Sequence, residues 1–109
     1  MAAKPIRRSL LIHTVHFAEK QDDLGWGSEY AEPIELVFVR IEPKESLVTT
    51  VTGETIKSTT TLFHDSVHST PCEFKFDSKI AFNNTSYTVK GVDYFYDNQR
   101  LHHREVRLV

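Results

Sequence analysis

Alternating apolar and polar positions in the last third of the chain predict three antiparallel strands. Residues 80–82 form a short strand, residues 87–96 a long one and residues 101–109 a closing one. Asn83-Asn84 separates the first two, and residues 97–99 separate the last two. Asn tolerates the positive φ angles that tight hairpin turns require, so these spacings predict a β-meander.

The apolar pattern changes phase within the long strand. Tyr87 and Val89 fall at odd positions, whereas Val92 and Tyr94 fall at even ones, and Gly91 lies between the two pairs. A regular strand would send the two pairs to opposite faces. We therefore predict a structural bend at Gly91, either a β-bulge or a sharp bend, because glycine tolerates left-handed geometry at such a break. The alternative is a strand covered on both faces.

Three earlier segments also have strand character. They are residues 9–20, residues 30–42, which Pro43 is expected to end, and residues 56–65, which are rich in β-branched side chains. Residues 44–53 form either a mobile loop or a weak hairpin arm. No segment has a sustained helical period, so the sequence predicts a mainly β fold: a small antiparallel β-barrel with long loops and little or no helix.

Two sets of apolar residues are expected to face the core of this fold. Val37, Val39 and Ile41 alternate with Phe38 and Arg40 along the second strand. Phe74 and Phe76 have the same spacing in the connection that follows the third strand, and we expect both to fold back on the core.

Length and composition indicate one ordinary globular domain. The 109 residues are 39% hydrophobic and 26% charged, with a net charge of −2. We predict a single domain over residues 1–109, with residues 1–8 as an exposed arm. No apolar run is long enough for a signal peptide or a transmembrane helix, so we expect an intracellular protein. Cys72 is the single cysteine, which excludes an intramolecular disulfide.

The sequence carries no pattern typical of an enzyme. The four glycines are scattered, so there is no phosphate-binding loop, and no nucleophile-elbow spacing occurs. We expect no catalytic residues and no cofactor.

A metal site is the strongest chemical hypothesis, and the context argues against it. His64, His68 and Cys72 recur every four residues, which on a helix would place three ligands on one face. Ser69-Thr70-Pro71 would break such a helix, so we predict no metal site. His102 and His103 are adjacent on a strand and are expected to point to opposite faces. We expect hydrogen bonds to backbone there.

Short motifs along nearly the whole chain resemble those of one protein family, and they occur in the same order as in that family. The chain is similar to the minor capsid proteins of tailed phages and prophages of Gram-positive bacteria. The motifs are Lys4-Pro5-Ile6, Leu11-Ile12-His13-Thr14-Val15, Val39-Arg40-Ile41-Glu42-Pro43, Leu62-Phe63, Ser69-Thr70-Pro71, Phe82-Asn83, Tyr87-Thr88-Val89 and Leu101-His102-His103-Arg104-Glu105-Val106.

This resemblance implies a structural role in the virion neck, after assembly in the bacterial host cytoplasm. Similar proteins are small β-barrels that complete or close the head as stoppers. They form rings of twelve or six copies beneath the portal and its adaptor, and they join a tail-completion or tail-tube protein. The implied ring lines the channel through which double-stranded DNA passes without sequence-specific recognition. No membrane partner is implied.

Two polar segments are candidates for contacts within such a ring. The first is the predicted channel-facing or neighbour-contact loop; its candidate residues are Lys44, Glu45, Leu47, Val48 and Val51. The second is the predicted partner-contact loop; its candidate residues are Asp22, Asp23 and Trp26. The alternative for Trp26 is that it anchors its own loop in the core.

Two other functions remain open. A tail-completion protein of the neck would have the same small β-rich character. A small binding module of the OB or SH3-like type would use aromatic side chains as a stacking platform, with Tyr87, Tyr94, Phe95 and Tyr96 as candidates. We expect core packing to account for at least half of these four aromatics, and Asp93 and Asp97 to disfavour a polyanion.

Overall fold

The computed structural model describes residues 5–21, 29–49 and 52–109. Six β-strands account for most of these residues. They are β1 (His13–Ala18), β2 (Ile34–Thr49), β3 (Thr55–Asp65), β4 (Lys79–Phe82), β5 (Thr85–Asp97) and β6 (Arg100–Leu108).

The six strands form one antiparallel sheet that closes on itself. The spatial order is β1-β2-β3-β6-β5-β4, and β4 pairs back with β1 through Phe17 and Ile80. Within the described residues the helical structure is one 3₁₀ turn, Arg8–Leu10. The predicted fold class, a small antiparallel β-barrel with little helix, is confirmed. None of the described segments is a helix long and apolar enough to cross a membrane.

Alternating side chains of all six strands fill the interior. One contiguous cluster contains the most deeply buried apolar residues, and removing this area from water is the main stabilising contribution to the fold. Its strand members are Val15, Phe17, Leu36, Val39, Ile41, Leu62, Ile80, Val89, Val106 and Leu108.

The two predicted asparagine turns of the meander are confirmed. Asn83 and Asn84 have φ angles of 49° and 62° and join β4 to β5. Asn98 and Gln99, with φ angles of 45° and 74°, join β5 to β6, while Asp97 belongs to the strand. Both turns therefore use the left-handed region that asparagine tolerates better than most residues.

Pro43 does not end the second strand, contrary to the sequence prediction. It lies opposite Thr60 inside the β2–β3 pairing, and the strand continues to Thr49. The register shifts between Pro43 and Ser46, and proline lacking an N–H is tolerated at such an irregularity. Of the two structures predicted for residues 44–53, the hairpin arm is therefore correct and the mobile loop is wrong for the described part.

A bulge also changes the face that β2 presents to the core. Leu36 lies opposite Val15 and Val39 opposite His13, so Val37 and Phe38 together face the single residue Thr14. Phe38 adopts a φ of 55° there. As a result Leu36 and Val39 are buried while Val37 is half-buried. The prediction that Val37 and Val39 face the core together is therefore wrong.

The connection between β3 and β4 closes one end of the barrel. Phe74 enters the core, where its ring makes edge contacts with Phe17 and His64 at centroid distances of 5.5 and 5.2 Å. Phe76 is 48% exposed, so the prediction that it packs on the core is wrong. Thr70 ties the connection to β2, because its N–H donates to the Val37 carbonyl and its hydroxyl accepts from the Val37 N–H.

Candidate assembly surfaces

The β2–β3 hairpin extends beyond the closed part of the sheet. β3 pairs with β6 between Thr60 and Asp65, whereas residues 55–58 pair with residues 46–49 of β2. We call residues 46–49 and 55–58 the arm. Each of its strands carries two β-branched residues, Val48 and Thr49 on β2 and Thr55 and Ile56 on β3, and such residues favour extended backbone.

The arm lies against the outer face of β5 and β6. Val106 and Leu108 point into the core, so Arg107 between them points outward. The Nη1 of Arg107 donates a hydrogen bond of 2.9 Å to the Leu47 carbonyl. Val48 is only 5% exposed although it does not belong to the core cluster. The arm is therefore docked on the barrel through a second, separate apolar contact.

Gly91 provides the surface on which the arm docks. The register shifts between Val89, opposite Leu108, and Gly91, opposite Arg107, so the predicted bulge is confirmed. Gly91 forms this bulge without a positive φ. A Cβ on Gly91 would lie 3.3 Å from Cγ1 of Val48. Glycine thus permits a close approach of the arm to β5.

The predicted neighbour-contact residues are divided between the arm and its base. Lys44 forms a 3.3 Å ion pair with Glu105, and Glu45 forms one of 3.1 Å with Lys57. Leu47 is 68% exposed and is the apolar side chain that this set presents to solvent among the described residues. Val48 is buried as described above. Val51 lies outside the described residues.

The predicted partner-contact residues Asp22, Asp23 and Trp26 lie outside the described residues. The described residues on either side of them are joined to each other. Two backbone hydrogen bonds, from Gln21 to Glu29 and from Ala31 to Glu19, hold these two sides together at 2.8 and 2.9 Å. Residues 19–21 and residues 29–31 therefore lie side by side next to β1.

The base of the arm is linked to a histidine pair on β6. Glu105 accepts from Lys44 and, at 3.1 Å, from Nε2 of His103, whose ring stacks on Phe95 at 4.7 Å. Burial raises the pKa of Glu105, but these two hydrogen bonds outweigh it, so the pKa lies below its ordinary value. This carboxylate therefore stays charged and holds Lys44 in place.

His102 and His103 do not point to opposite faces, as the sequence predicts. The register shifts between Phe95, opposite His103, and Tyr96, opposite Leu101, which leaves His102 as an extra residue in β6. The two Nδ1 atoms lie 2.7 Å apart. One of these two nitrogens therefore donates to the other. For His103, this contact between side chains replaces the expected hydrogen bond to backbone.

His64 lies at one mouth of the barrel and is a structural histidine. Its Nε2 is 2.7 Å from the Thr70 carbonyl, which can only accept, so Nε2 carries the proton. Nδ1 then accepts from Nη1 of Arg104 at 3.4 Å. Burial lowers the pKa of His64, which keeps the ring neutral. Within residues 5–21, 29–49 and 52–109, no group of three His, Cys, Asp or Glu is placed to hold a metal ion.

Most of the aromatic residues considered as a stacking platform are not part of the core. Tyr87 packs against the core, whereas Tyr94, Phe95 and Tyr96 are 48%, 42% and 67% exposed. The expectation that core packing accounts for at least half of them is therefore wrong. Asp93 is neutralised by Arg107 at 2.8 Å.

Asp65 organises the same mouth and was not recognised from the sequence. Its buried carboxylate accepts hydrogen bonds of 2.9, 2.9 and 2.8 Å from the N–H groups of Ile6, Val67 and His68. Of the predicted N-terminal arm, residues 5–6 are thus half-buried and tied to the barrel, whereas Arg7 and Arg8 are exposed. An Asp followed by Ser-Val-His-Ser at a strand end is typical of a side-chain-stabilised turn, which was the available signal.

One of three comparisons with known proteins identifies a family for this chain. The searches of curated proteins and of solved structures gave no match. The family model described as "Minor capsid protein" matches residues 5–108, and thus nearly every residue of the chain. The chain therefore belongs to the minor capsid protein family, whose members are structural components of the virion.

Proposed function

We propose that this protein closes the head of a tailed phage at the head–tail junction. In this role it forms a ring of twelve or six copies beneath the portal and adaptor, joins the tail and lines the DNA channel as a stopper. Family membership supports a structural role in the virion, and the resemblance described above supports the neck. Membership of a family of capsid components also supports the expectation that the chain has no catalytic residues.

The observation that carries the proposal is the docked arm with Leu47 at its surface. The closed part of the sheet has no free edge, whereas the two strands of the arm pair only with each other among the described residues, so the arm is a candidate for contact between copies. The arm projects beyond the β3–β6 pairing and presents Leu47, which is 68% exposed. An exposed leucine on the docked arm suits a contact between unlike patches of adjacent copies, which is the contact that builds a ring.

The charge balance supports passage of DNA rather than retention. The chain has a net charge of −2, and several of its cations are already paired, including Lys44 with Glu105 and Arg107 with Asp93. Affinity for duplex DNA depends on how many phosphates free cations neutralise. A ring with few free cations would therefore let the duplex slide.

Reconstruction of the neck of intact particles by electron cryomicroscopy tests the proposal. We expect a ring of this chain between the portal–adaptor assembly and the tail, with the arm in contact with the next copy. Complete particles in which the chain occupies another position would contradict the proposed function. A position on the tail side of the joint would support the alternative of a tail-completion protein.

Substitution of Leu47 tests the arm separately from the location. Leu47→Ser should leave the free energy of unfolding nearly unchanged, because the side chain is exposed, and should abolish ring formation or the yield of complete particles. Val67→Ser is the matched control, since Val67 is 66% exposed but lies in the β3–β4 connection. Equal assembly by the two variants would rule out Leu47 as a contact.

The exposed aromatics favour one second candidate, a binding module for single-stranded nucleic acid. Successive strand residues point to opposite faces, so Tyr94 and Tyr96 share a face whereas Phe95 stacks on His103 on the other. This divided arrangement gives no continuous platform of three rings. Salt-sensitive binding of single-stranded DNA by the isolated protein, lost in Tyr94→Ala and Tyr96→Ala, would favour this candidate over head closure.

A further inference from the structure

Arg104 places a largely buried positive charge at the mouth of the barrel. It lies on β6 between its strand partners His64 on β3 and Tyr94 on β5. Its side chain is 14% exposed, and its guanidinium lies 5.6 Å from the centre of the Tyr94 ring. On β6 it is two residues before Val106, so it projects from the same face as the core residues.

The hydrogen bonds of this guanidinium are long or missing. Nη1 is 3.4 Å from Nδ1 of His64, and Nη2 is 3.5 Å from Oε1 of Glu73. Nε is buried and has no partner among the described residues. Charge-assisted hydrogen bonds of arginine to carboxylates are normally about 2.7–2.9 Å long. A buried cation with such weak partners is therefore short of one well-placed anionic acceptor.

An open cavity lies next to the guanidinium. Its volume is about 440 Å³, and its walls include His64, Ser69, Cys72, Glu73, Leu101 and Arg104. Leu101 and Pro71 supply apolar wall on which the methylene groups of an acidic side chain can pack. The cavity thus has room for a carboxylate together with its carbon stem.

The other titratable groups around the cavity leave it attractive to an anion. His64 is neutral, and burial raises the pKa of Cys72 to about 12, so the thiol is neutral as well. The Asp65 carboxylate accepts from three backbone N–H groups and makes no ion pair with Arg104. Glu73 is the anion that faces the cavity, but its side chain is 85% exposed, so its pairing with Arg104 is weak.

From this geometry we infer that the mouth of the barrel is a socket for a carboxylate, with Arg104 as the binding residue and Glu73 as a loosely held internal competitor. The carboxylate comes from an acidic side chain or chain terminus of an adjacent polypeptide. That this polypeptide belongs to the virion neck rests on the proposed function, whereas the binding of a carboxylate by Arg104 does not.

Binding of a simple carboxylate to the isolated protein tests the socket. The Nε–H resonance of Arg104 would be followed by NMR during a titration with propionate, and propionamide is the uncharged control of the same shape. We expect a saturable shift with propionate, with a dissociation constant of about 10 mM as for one charge-assisted contact, and none with propionamide. Equal shifts with both compounds, or no shift with either, would overturn the inference.

Two variants assign the binding to the proposed groups. Glu73→Gln removes the competitor and should tighten propionate binding by roughly two- to fivefold. Arg104→Lys keeps the charge but loses the planar fork, so binding should weaken several-fold while the fold is retained. Arg107→Lys is the matched control, since Arg107 lies on the same strand and points outward. Tighter binding in Arg104→Lys, or weaker binding in Glu73→Gln, would contradict the assigned roles.

Assembly assays with the chain alone identify the source of the carboxylate. If it belongs to a second copy, excess propionate and Arg104→Lys should both reduce self-association measured by sedimentation. If it belongs to another virion protein, self-association should persist while joining to the portal–adaptor side or the tail is lost. If the protein binds propionate but does not lie in the neck, the proposed function is overturned and the socket is retained. If it lies in the neck but does not bind propionate, the socket alone is overturned.

Discussion

Cγ1 of Val48 lies 3.3 Å from the point that a Cβ would occupy on Gly91. Forty-three positions separate the two residues in the sequence, and the contact joins the arm to the outer face of β5. Arg107 borders the same point, with its Cβ 3.6 Å away. The absence of a side chain at Gly91 is therefore what allows the arm to lie flat against the barrel.

A valine at Gly91 should release the arm from the barrel. The added side chain would overlap Val48, and overpacking of this kind typically costs about 1–3 kcal/mol. Because the contact lies outside the main core, the barrel itself should still fold. Hydrogen exchange would show this directly, with faster exchange of the amides in residues 46–49 and 55–58 and unchanged exchange at Val106 and Leu108.

Val48→Ala provides the control for this prediction. In the wild type it should weaken docking, because buried methyl groups are lost. In the Gly91→Val background it should partly restore protection of the arm, because it makes room for the new side chain. Additive effects of the two substitutions would show that they do not share a contact and would contradict the proposed docking.

The closed sheet was predictable because local signals dominate it. Asn83-Asn84 and Asn98 mark hairpin turns by their tolerance of positive φ, and the parity change at Gly91 correctly indicates a bulge. Such features depend on residues close in sequence. The order and type of the last three strands follow from them.

The docking of the arm and the arrangement of the mouth were not predictable in the same way, because they depend on contacts between distant residues. Arg107 bonds the Leu47 carbonyl across 60 positions, and Arg104 contacts His64 across 40. The residues next to each partner in the sequence do not indicate which distant residue it contacts. The bulge at Phe38 was missed for a related reason, since a bulky residue at positive φ is tolerated there only in the surrounding tertiary structure.

Asp65 should contribute more to stability than its position at the end of a strand suggests. Asp65→Ala would leave the N–H groups of Ile6, Val67 and His68 without their acceptor, and one hydrogen bond to a charged group is worth about 1.5–3 kcal/mol. We therefore expect a loss of at least ~2 kcal/mol in the free energy of unfolding measured with urea. Glu32→Ala, at an exposed site, is the control and should change it by less than ~0.5 kcal/mol. Similar losses in the two variants would contradict this role.

Arg107 should hold the arm closed through its two polar contacts. It pairs with Asp93 at 2.8 Å and donates to the Leu47 carbonyl at 2.9 Å. Arg107→Met keeps much of the aliphatic stem but removes both contacts, so the arm should become more sensitive to limited proteolysis. Asp93→Asn removes the ion pair and leaves the bond to Leu47 possible, so it should have the smaller effect. Greater sensitivity in Asp93→Asn would show that the ion pair, rather than the bond to Leu47, holds the arm.

The stability of the fold should fall as the pH is lowered through the range where His64 titrates. Burial lowers the pKa of His64 below its ordinary value of 6.5, although the Thr70 carbonyl partly opposes this effect. Below pH 6.5 the unfolded chain therefore binds a proton that the folded chain resists, and stability decreases toward the folded pKa. The limiting slope for one proton is about 1.4 kcal/mol per pH unit. His13, whose pKa is lowered by burial and by Arg40, contributes in the same direction.

Urea unfolding at pH 7.5 and pH 5.5 measures this dependence before Glu105 begins to titrate. The pKa of Glu105 is lowered from 4.5, so its contribution is lost only at more acidic pH. His64→Gln should be less stable than the wild type at pH 7.5, because the contacts to Thr70 and Arg104 change, yet it should lose less stability on acidification. His13→Gln should retain most of the dependence. Equal losses in the wild type and His64→Gln would mean that His64 is protonated without unfolding, and therefore that its ring is not held neutral at the mouth.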